Sequence, residues 1–245
     1  MKKYLIIITI GSLLLTSCEY LITCLDGNGE METEQRIGGN FTSITVEGEY
    51  NVVVENSPTI SVEVTADENL LEYIETTVRG GKLTVTTNHD GCITFDDETE
   101  VLVRCPILTN ISHLGSGNVE VYDFYVDNLN VVAAGSGHVT MSNVSVSEDL
   151  DVSLIGSGNV WLKGRANKGF LSLSGSGNID SEAMRVFESY VTVTGSGNVH
   201  TYAYDALKVT LAGSGNVYYY GNPKDVVTNV TGSGEVINRS NVTSN

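Results

Sequence analysis

Apolar and polar residues alternate with a period of two through most of the chain, as in Leu83-Thr84-Val85-Thr86, Leu171-Ser172-Leu173-Ser174 and Val191-Thr192-Val193-Thr194. That period places one set of side chains on each face of an extended strand. In the first half the same reading predicts strands at 44–46, 50–54, 60–64, 83–86 and 101–103, with one short helical turn over 68–71 capped by Asp67. No sustained 3.6-residue pattern follows, so the fold class is all-β.

The second half is organised by a repeat. Gly-Ser-Gly begins at Gly115, Gly135, Gly156, Gly175, Gly195, Gly213 and Gly232, with spacings of 20, 21, 19, 20, 18 and 19 residues. A period near 20 implies one supersecondary unit per copy, stacked so that neighbours complete one another's core. Aligned on the first glycine, the position four residues downstream is always β-branched: Val119, Val139, Val160, Ile179, Val199, Val217 and Val236. Two residues upstream lie His113, Ala133, Leu154, Leu173, Val193, Leu211 and Val230, and four upstream lie Ile111, Val131, Val152, Leu171, Val191, Val209 and Thr228. These three columns are the predicted core. The glycines are read as structural turns that use positive φ. The third residue after each first glycine is Asn118, His138, Asn159, Asn178, Asn198, Asn216 or Glu235, which reads as a side-chain ladder between rungs rather than a ligand ridge.

A parallel β-helix of about 20 residues per coil places equivalent residues above one another in this way. A β-propeller would need blades of roughly 40 residues. The predicted organisation is a leader at 1–17, an acidic tether at 18–35, a β-rich first part of the solenoid at 36–110, and the Gly-Ser-Gly β-helix with a polar tail at 111–245. The segments 66–71, 73–76 and 80–85, followed by the Gly-Ser-Gly-Asn array, together resemble the putative auto-transporter adhesin, head GIN domain family over residues 36–238. The resemblance implies a right-handed parallel β-helix and a cell-adhesion role, and it supplies no catalytic residues. His138 and Glu235 depart from the asparagine column and predict breaks in the ladder.

The N-terminus adds a location. Lys2 and Lys3 precede an apolar run at 5–15 that ends in Leu15-Thr16-Ser17-Cys18, the pattern of a lipoprotein signal peptide with Cys18 as the acylated first residue of the mature chain. The expected location is the cell envelope, lipid-anchored at the outer membrane. The chain carries 13 basic and 30 acidic residues, and loss of Lys2 and Lys3 leaves 11 basic residues and a formal charge of −19. That excludes nucleic acid as a partner. Cys24, Cys92 and Cys105 then remain, so at most one intramolecular disulfide can form. Cys92 and Cys105 flank an expected hairpin at 96–99, but the spacing leaves the pairing open.

No catalytic constellation emerges. His89, His113, His138 and His200 occupy different offsets, which gives no metal site, and no cofactor motif is present. The seven repeat serines from Ser116 to Ser233 recur without a positioned histidine and acid. Glu120 and Asp180 stand alone in their column, where bond cleavage needs a paired acid and base. More informative are aromatics five and seven residues after the glycine: Trp161, Tyr218, Tyr122, Tyr202 and Tyr220. Such rings suit strands in any case, but they also stack on sugar faces. The sequence therefore predicts a non-enzymatic, adhesin-like envelope lipoprotein that contacts glycan or protein surfaces through Trp161, Tyr202, Tyr218 and Tyr220. A periplasmic scaffold is the main alternative and a β-helical polysaccharide-active enzyme the third reading.

Overall fold

The computed structural model describes residues 24–36 and 39–240. Cys18 and the leader lie outside the described residues. The chain is all-β, a solenoid of stacked parallel coils, and the only helical segment among the described residues is the three-residue turn Leu71–Tyr73. The predicted columns are the observed core up to the last rung, where Thr228 and Val230 are exposed. Val119, Val139, Val160, Ile179, Val199 and Val217 are register partners in successive coils and all are buried; Val236 closes the column half-exposed. The other two columns pair with equal regularity, from Ile111 and His113 to Thr228 and Val230. At about 1.5–3 kcal/mol per fully buried aliphatic side chain, these stacks are the main source of stability.

The order of coils along the rod is not the order along the chain. Ser43–Glu47 lies between Lys82–Thr87 on one side and Asn110–His113 on the other, parallel to both. Asn51–Asn56 lies in the same way between Glu100–Cys105 and Asn118–Tyr122. Residues 82–105 therefore form the outermost rung, residues 43–56 the next, and residue 110 onward the third. Gly48-Glu49-Tyr50 occupies the level of a Gly-Ser-Gly triplet: a Cβ on Gly115 would collide with the Gly48 carbonyl, and one on Gly117 with that of Tyr50.

The outer end is closed by antiparallel pairing. Ser61–Asp67 pairs antiparallel with Glu100–Cys105 and with Met31–Arg36, and Ile74–Arg79 forms a hairpin with Lys82–Thr87. This corrects two expectations. Residues 24–36 are not a free tether, because Leu25–Asp26 pairs with Ile93–Thr94, Met31–Arg36 adds a strand, and Cys24 is bonded to Cys92. Asp67 does not cap the helical turn: its buried carboxylate accepts from the Gly29 N–H at 2.6 Å. Cys105 is a free thiol buried in the core, where desolvation pushes its pKa up to about 11, and no hairpin brings it to Cys92.

The glycines do more than turn the chain. The first glycines from Gly135 to Gly232 have φ between +119° and +149°, which disfavours any side chain. A Cβ on Gly175 would also run into the Gly156 carbonyl oxygen, which accepts from both Ser176 N–H and Gly177 N–H at 3.0 Å. Close backbone approach across rungs is thus a second reason for glycine, shared with Gly115, whose φ is not positive. The second corner is set by Asp123 and Asn143, at φ +65° and +57°, joined by a hydrogen bond from Asn143 Nδ2 to Asp123 Oδ1 at 2.5 Å.

Candidate functional site

The asparagine column forms a hydrogen-bonded ladder from His138 to Glu235. Asn178 donates to Asn159 Oδ1 at 3.0 Å, Asn198 N–H to Asn178 Oδ1 at 3.1 Å, and Asn216 N–H to Asn198 Oδ1 at 2.9 Å. Of the two expected breaks, the one at His138 falls on its Asn118 side, where the His138 N–H donates to the Gly117 carbonyl and the Asn118 amide donates to Asn51 Oδ1 at 3.1 Å; the other does not occur. His138 Nδ1 accepts from Asn159 N–H at 3.2 Å, and Glu235 joins through its backbone N–H to Asn216 Oδ1 at 2.9 Å. The serine column lies exposed beside the ladder, and none of the seven hydroxyls meets a histidine or carboxylate among the described residues.

The column five residues after the glycine reads Glu120, Thr140, Trp161, Asp180, His200, Tyr218 and Ile237 on one face. Its end is a cluster. His200 packs against Tyr218 at 4.6 Å and its Nδ1 lies 3.3 Å from the Tyr220 hydroxyl. Tyr202 is the register partner of Tyr220, Arg185 sits 4.2 Å over the Tyr202 ring, and Arg239 sits 5.4 Å over Tyr218. The Tyr220 hydroxyl pKa is raised, first by desolvation and then by the Glu182 carboxylate. Three of the four expected contact residues, Tyr202, Tyr218 and Tyr220, are thereby brought together. Trp161, 41% exposed, stands apart with Asp180 and His200 between it and Tyr218, and meets His138 edge-on at 5.2 Å. Tyr122 lies at the far end, donating to Glu120.

The two carboxylates of that column are three coil spacings apart, about 14 Å at roughly 4.8 Å per strand. That exceeds the roughly 5–9.5 Å at which carboxyl pairs act on a glycosidic bond. Among the described residues, no three or more of His, Cys, Asp and Glu cluster as metal ligands. His113, in the core, has its pKa lowered mainly by burial and is held by its Nε2–H donating to the Gly117 carbonyl at 2.8 Å. This residue is structural.

A third face carries residues that alignment on the glycines misses. Tyr125, Ser145, Arg165 and Arg185 are consecutive register partners above a floor of Val126, Val146, Ala166 and Val186. Phe187 and Tyr204 stack beside them with centroids 5.8 Å apart. Arg165 follows its glycine by nine residues and Arg185 by ten, because coil length varies just there, with register shifts after Met141 and Val146. A local count of basic residues would have found the cluster.

Comparison with known proteins places this architecture. The family described as putative auto-transporter adhesin, head GIN domain, matches residues 40–223. A putative adhesin from Bacteroides fragilis superposes with a TM-score of 0.83 at 22% identity, covering 87% of this chain and 99% of that one. A putative lipid binding protein from Parabacteroides distasonis gives 0.72 at 22% identity, covering 88% and 99%. A putative adhesin from Parabacteroides merdae gives 0.62 at 25% identity, covering 87% and 98%. No curated protein matches.

Proposed function

Since the chain belongs to the putative auto-transporter adhesin, head GIN domain family, we propose that it is a non-enzymatic, adhesin-like contact module held in the cell envelope by a lipid on Cys18. The observation that carries the reading is the cluster of Tyr202, Tyr218, Tyr220 and His200, presented on one face by parallel stacking. Rings with a wet edge and a polar tip suit flat sugar faces or a protein surface. Trp161 extends the same face. A reaction would need an acid and base held near one another, and the separation of Glu120 and Asp180 favours binding over turnover.

Replacing Trp161 and Tyr218 together by Ala is expected to weaken binding to immobilised matrix proteins or bacterial glycans at least tenfold while the fold persists. A folded double variant that binds undiminished removes this face as the principal site. Polysaccharide cleavage that is lost on changing Asp180 or Glu120 would replace the binding reading with an enzymatic one. Mass spectrometry is expected to find acyl chains on Cys18, and an unmodified mature chain starting beyond it would remove the anchor. Protease accessibility on intact cells separates an outward-facing adhesin, which is digested, from a periplasmic scaffold, which is protected.

A further inference from the structure

We propose that the third face, which borders the aromatic cluster at Tyr202, is a second binding site for an oligosaccharide carrying isolated carboxylates, with Arg165 and Arg185 as its anion-recognising pair. The proposal extends the adhesin-like reading to a second surface and names its ligand class. It starts from charge. In a chain of 13 basic and 30 acidic residues, Lys163, Arg165, Lys168 and Arg185 fall within 23 consecutive positions that contain only two acids, Asp180 and Glu182. Arg165 and Arg185 are exposed and directly opposite on neighbouring strands. Like charges opposite each other destabilise a sheet. Neither guanidinium takes part in an ion pair among the described residues, whereas Arg36, Arg104 and Lys224 do. Arg165 Nε donates to the Ser145 hydroxyl and Arg185 lies over the Tyr202 ring, so both are oriented by neutral partners.

The surroundings are shaped for a sugar. A groove of about 560 Å³ runs past Tyr125, Ser145, Arg165 and Phe187, and a hollow of about 430 Å³ containing Arg185, Tyr202 and Tyr204 shares Ala166 and Phe187 with it. Exposed rings stand at both ends, Tyr125 at 67% and the stacked Phe187 and Tyr204 at 40% and 61%. A guanidinium fork matches a carboxylate with two parallel hydrogen bonds, and flat rings accept the apolar faces of pyranoses. The acid in the groove, Asp127, is held by the Ser147 hydroxyl at 2.7 Å, two coils from Arg165, and gives the groove a negative end that orients the ligand. The net charge of −17 repels a dense polyanion such as nucleic acid and leaves sparsely charged sugars favoured.

The test uses the full-length chain purified in detergent, titrated with a glucuronoxylo-oligosaccharide bearing one carboxylate, with its carboxyl-reduced counterpart, and with phosphatidylglycerol vesicles. The acidic oligosaccharide is expected to bind at least tenfold more tightly than the reduced one, with a preference that falls as salt rises. R165Q/R185Q is expected to abolish that preference without lowering the thermal midpoint, and W161A/Y218A to leave the preference intact. Equal affinity for the two sugars, no binding of either, or an unchanged preference in R165Q/R185Q overturns the proposal. Arginine-dependent binding to the vesicles alone also overturns it, in favour of a lipid surface. Loss of adhesion in W161A/Y218A with no acidic-sugar preference in the unmodified protein would sink this site and leave the adhesin-like reading standing; the converse pattern would do the reverse.

Discussion

The rungs built from residues 24–105 and those built from residue 110 onward share one register and reach it by different means. In the repeated part, each strand pairs with the one about 20 residues away, and a glycine carbonyl bridges every rung. In the first part, a strand meets partners as distant as Val46 from His113, and Gly-Ser-Gly is replaced by Gly48-Glu49-Tyr50 or by the excursion 88–99 that carries Cys92. The repeat therefore stabilises itself through local pairing. The outer end needs antiparallel strands, a disulfide and loop closure over long separations to cover the same core.

The difference can be broken most sharply at the glycines. Gly175→Val is expected to cost about 4 kcal/mol or to prevent folding, since it combines a φ of +136° with a collision against the Gly156 backbone. Ser176→Ala, one residue away on an exposed side chain, should stay within about 0.5 kcal/mol. Equal thermal stability of the two would contradict the rung-to-rung role. Next in size is reduction of Cys24–Cys92, which closes a separation of 68 residues and should cost about 3 kcal/mol. Hydrogen exchange should show the loss confined to Met31–Arg36 and Ser61–Asp67, with Val160 to Val217 unaffected. Gly80→Ala should cost only about 1 kcal/mol, because that hairpin glycine has φ +59° but open space around it.

The smallest effect is a slope in pH. Burial lowers the His113 pKa below its ordinary 6.5, so the folded state binds fewer protons than the unfolded one as pH falls through that value. Stability contributed by neutral His113 is present above pH 6.5 and is lost on acidification toward the lowered folded value. His113→Leu, which matches Leu154, Leu173 and Leu211 in the same column, should flatten that part of the stability–pH curve. An unchanged slope would mean that His113 titrates freely.

What was legible in the sequence follows from the same contrast. The period of the glycines and the β-branched column named the architecture, because residues one coil apart in sequence are one rung apart in space. The asparagine ladder was also legible. Of its two exceptions, His138 breaks the ladder toward Asn118 yet continues it toward Asn159 through a ring nitrogen, and Glu235 was misread, since it joins through its backbone N–H. The first part was legible as strands at 44–46, 50–54, 60–64, 83–86 and 101–103, each overlapping an observed strand, but not as an order of rungs, which long-range pairing decides. The tether was misread for the same reason: Met31–Arg36 has no apolar period of its own and is ordered by its edge pairing to Ser61–Asp67. The site divides similarly. Tyr202, Tyr218 and Tyr220 recur at fixed offsets, so their shared placement could be read from the sequence, whereas Arg165 and Arg185 lie where coils differ in length and fall out of alignment.

Disulfide trapping tests the interleaved rung order most directly. Thr45 is the register partner of Ser112 on one side and of Thr84 on the other, so Thr84 and Ser112 are two rungs apart, about 9.6 Å at roughly 4.8 Å per strand. That exceeds the roughly 7 Å beyond which two cysteines cannot be bridged. Under mild oxidation T45C/S112C should form a crosslink quantitatively in the folded protein and T84C/S112C should form none. A crosslink in T84C/S112C and none in T45C/S112C would show that the coils stack in chain order and would contradict the account.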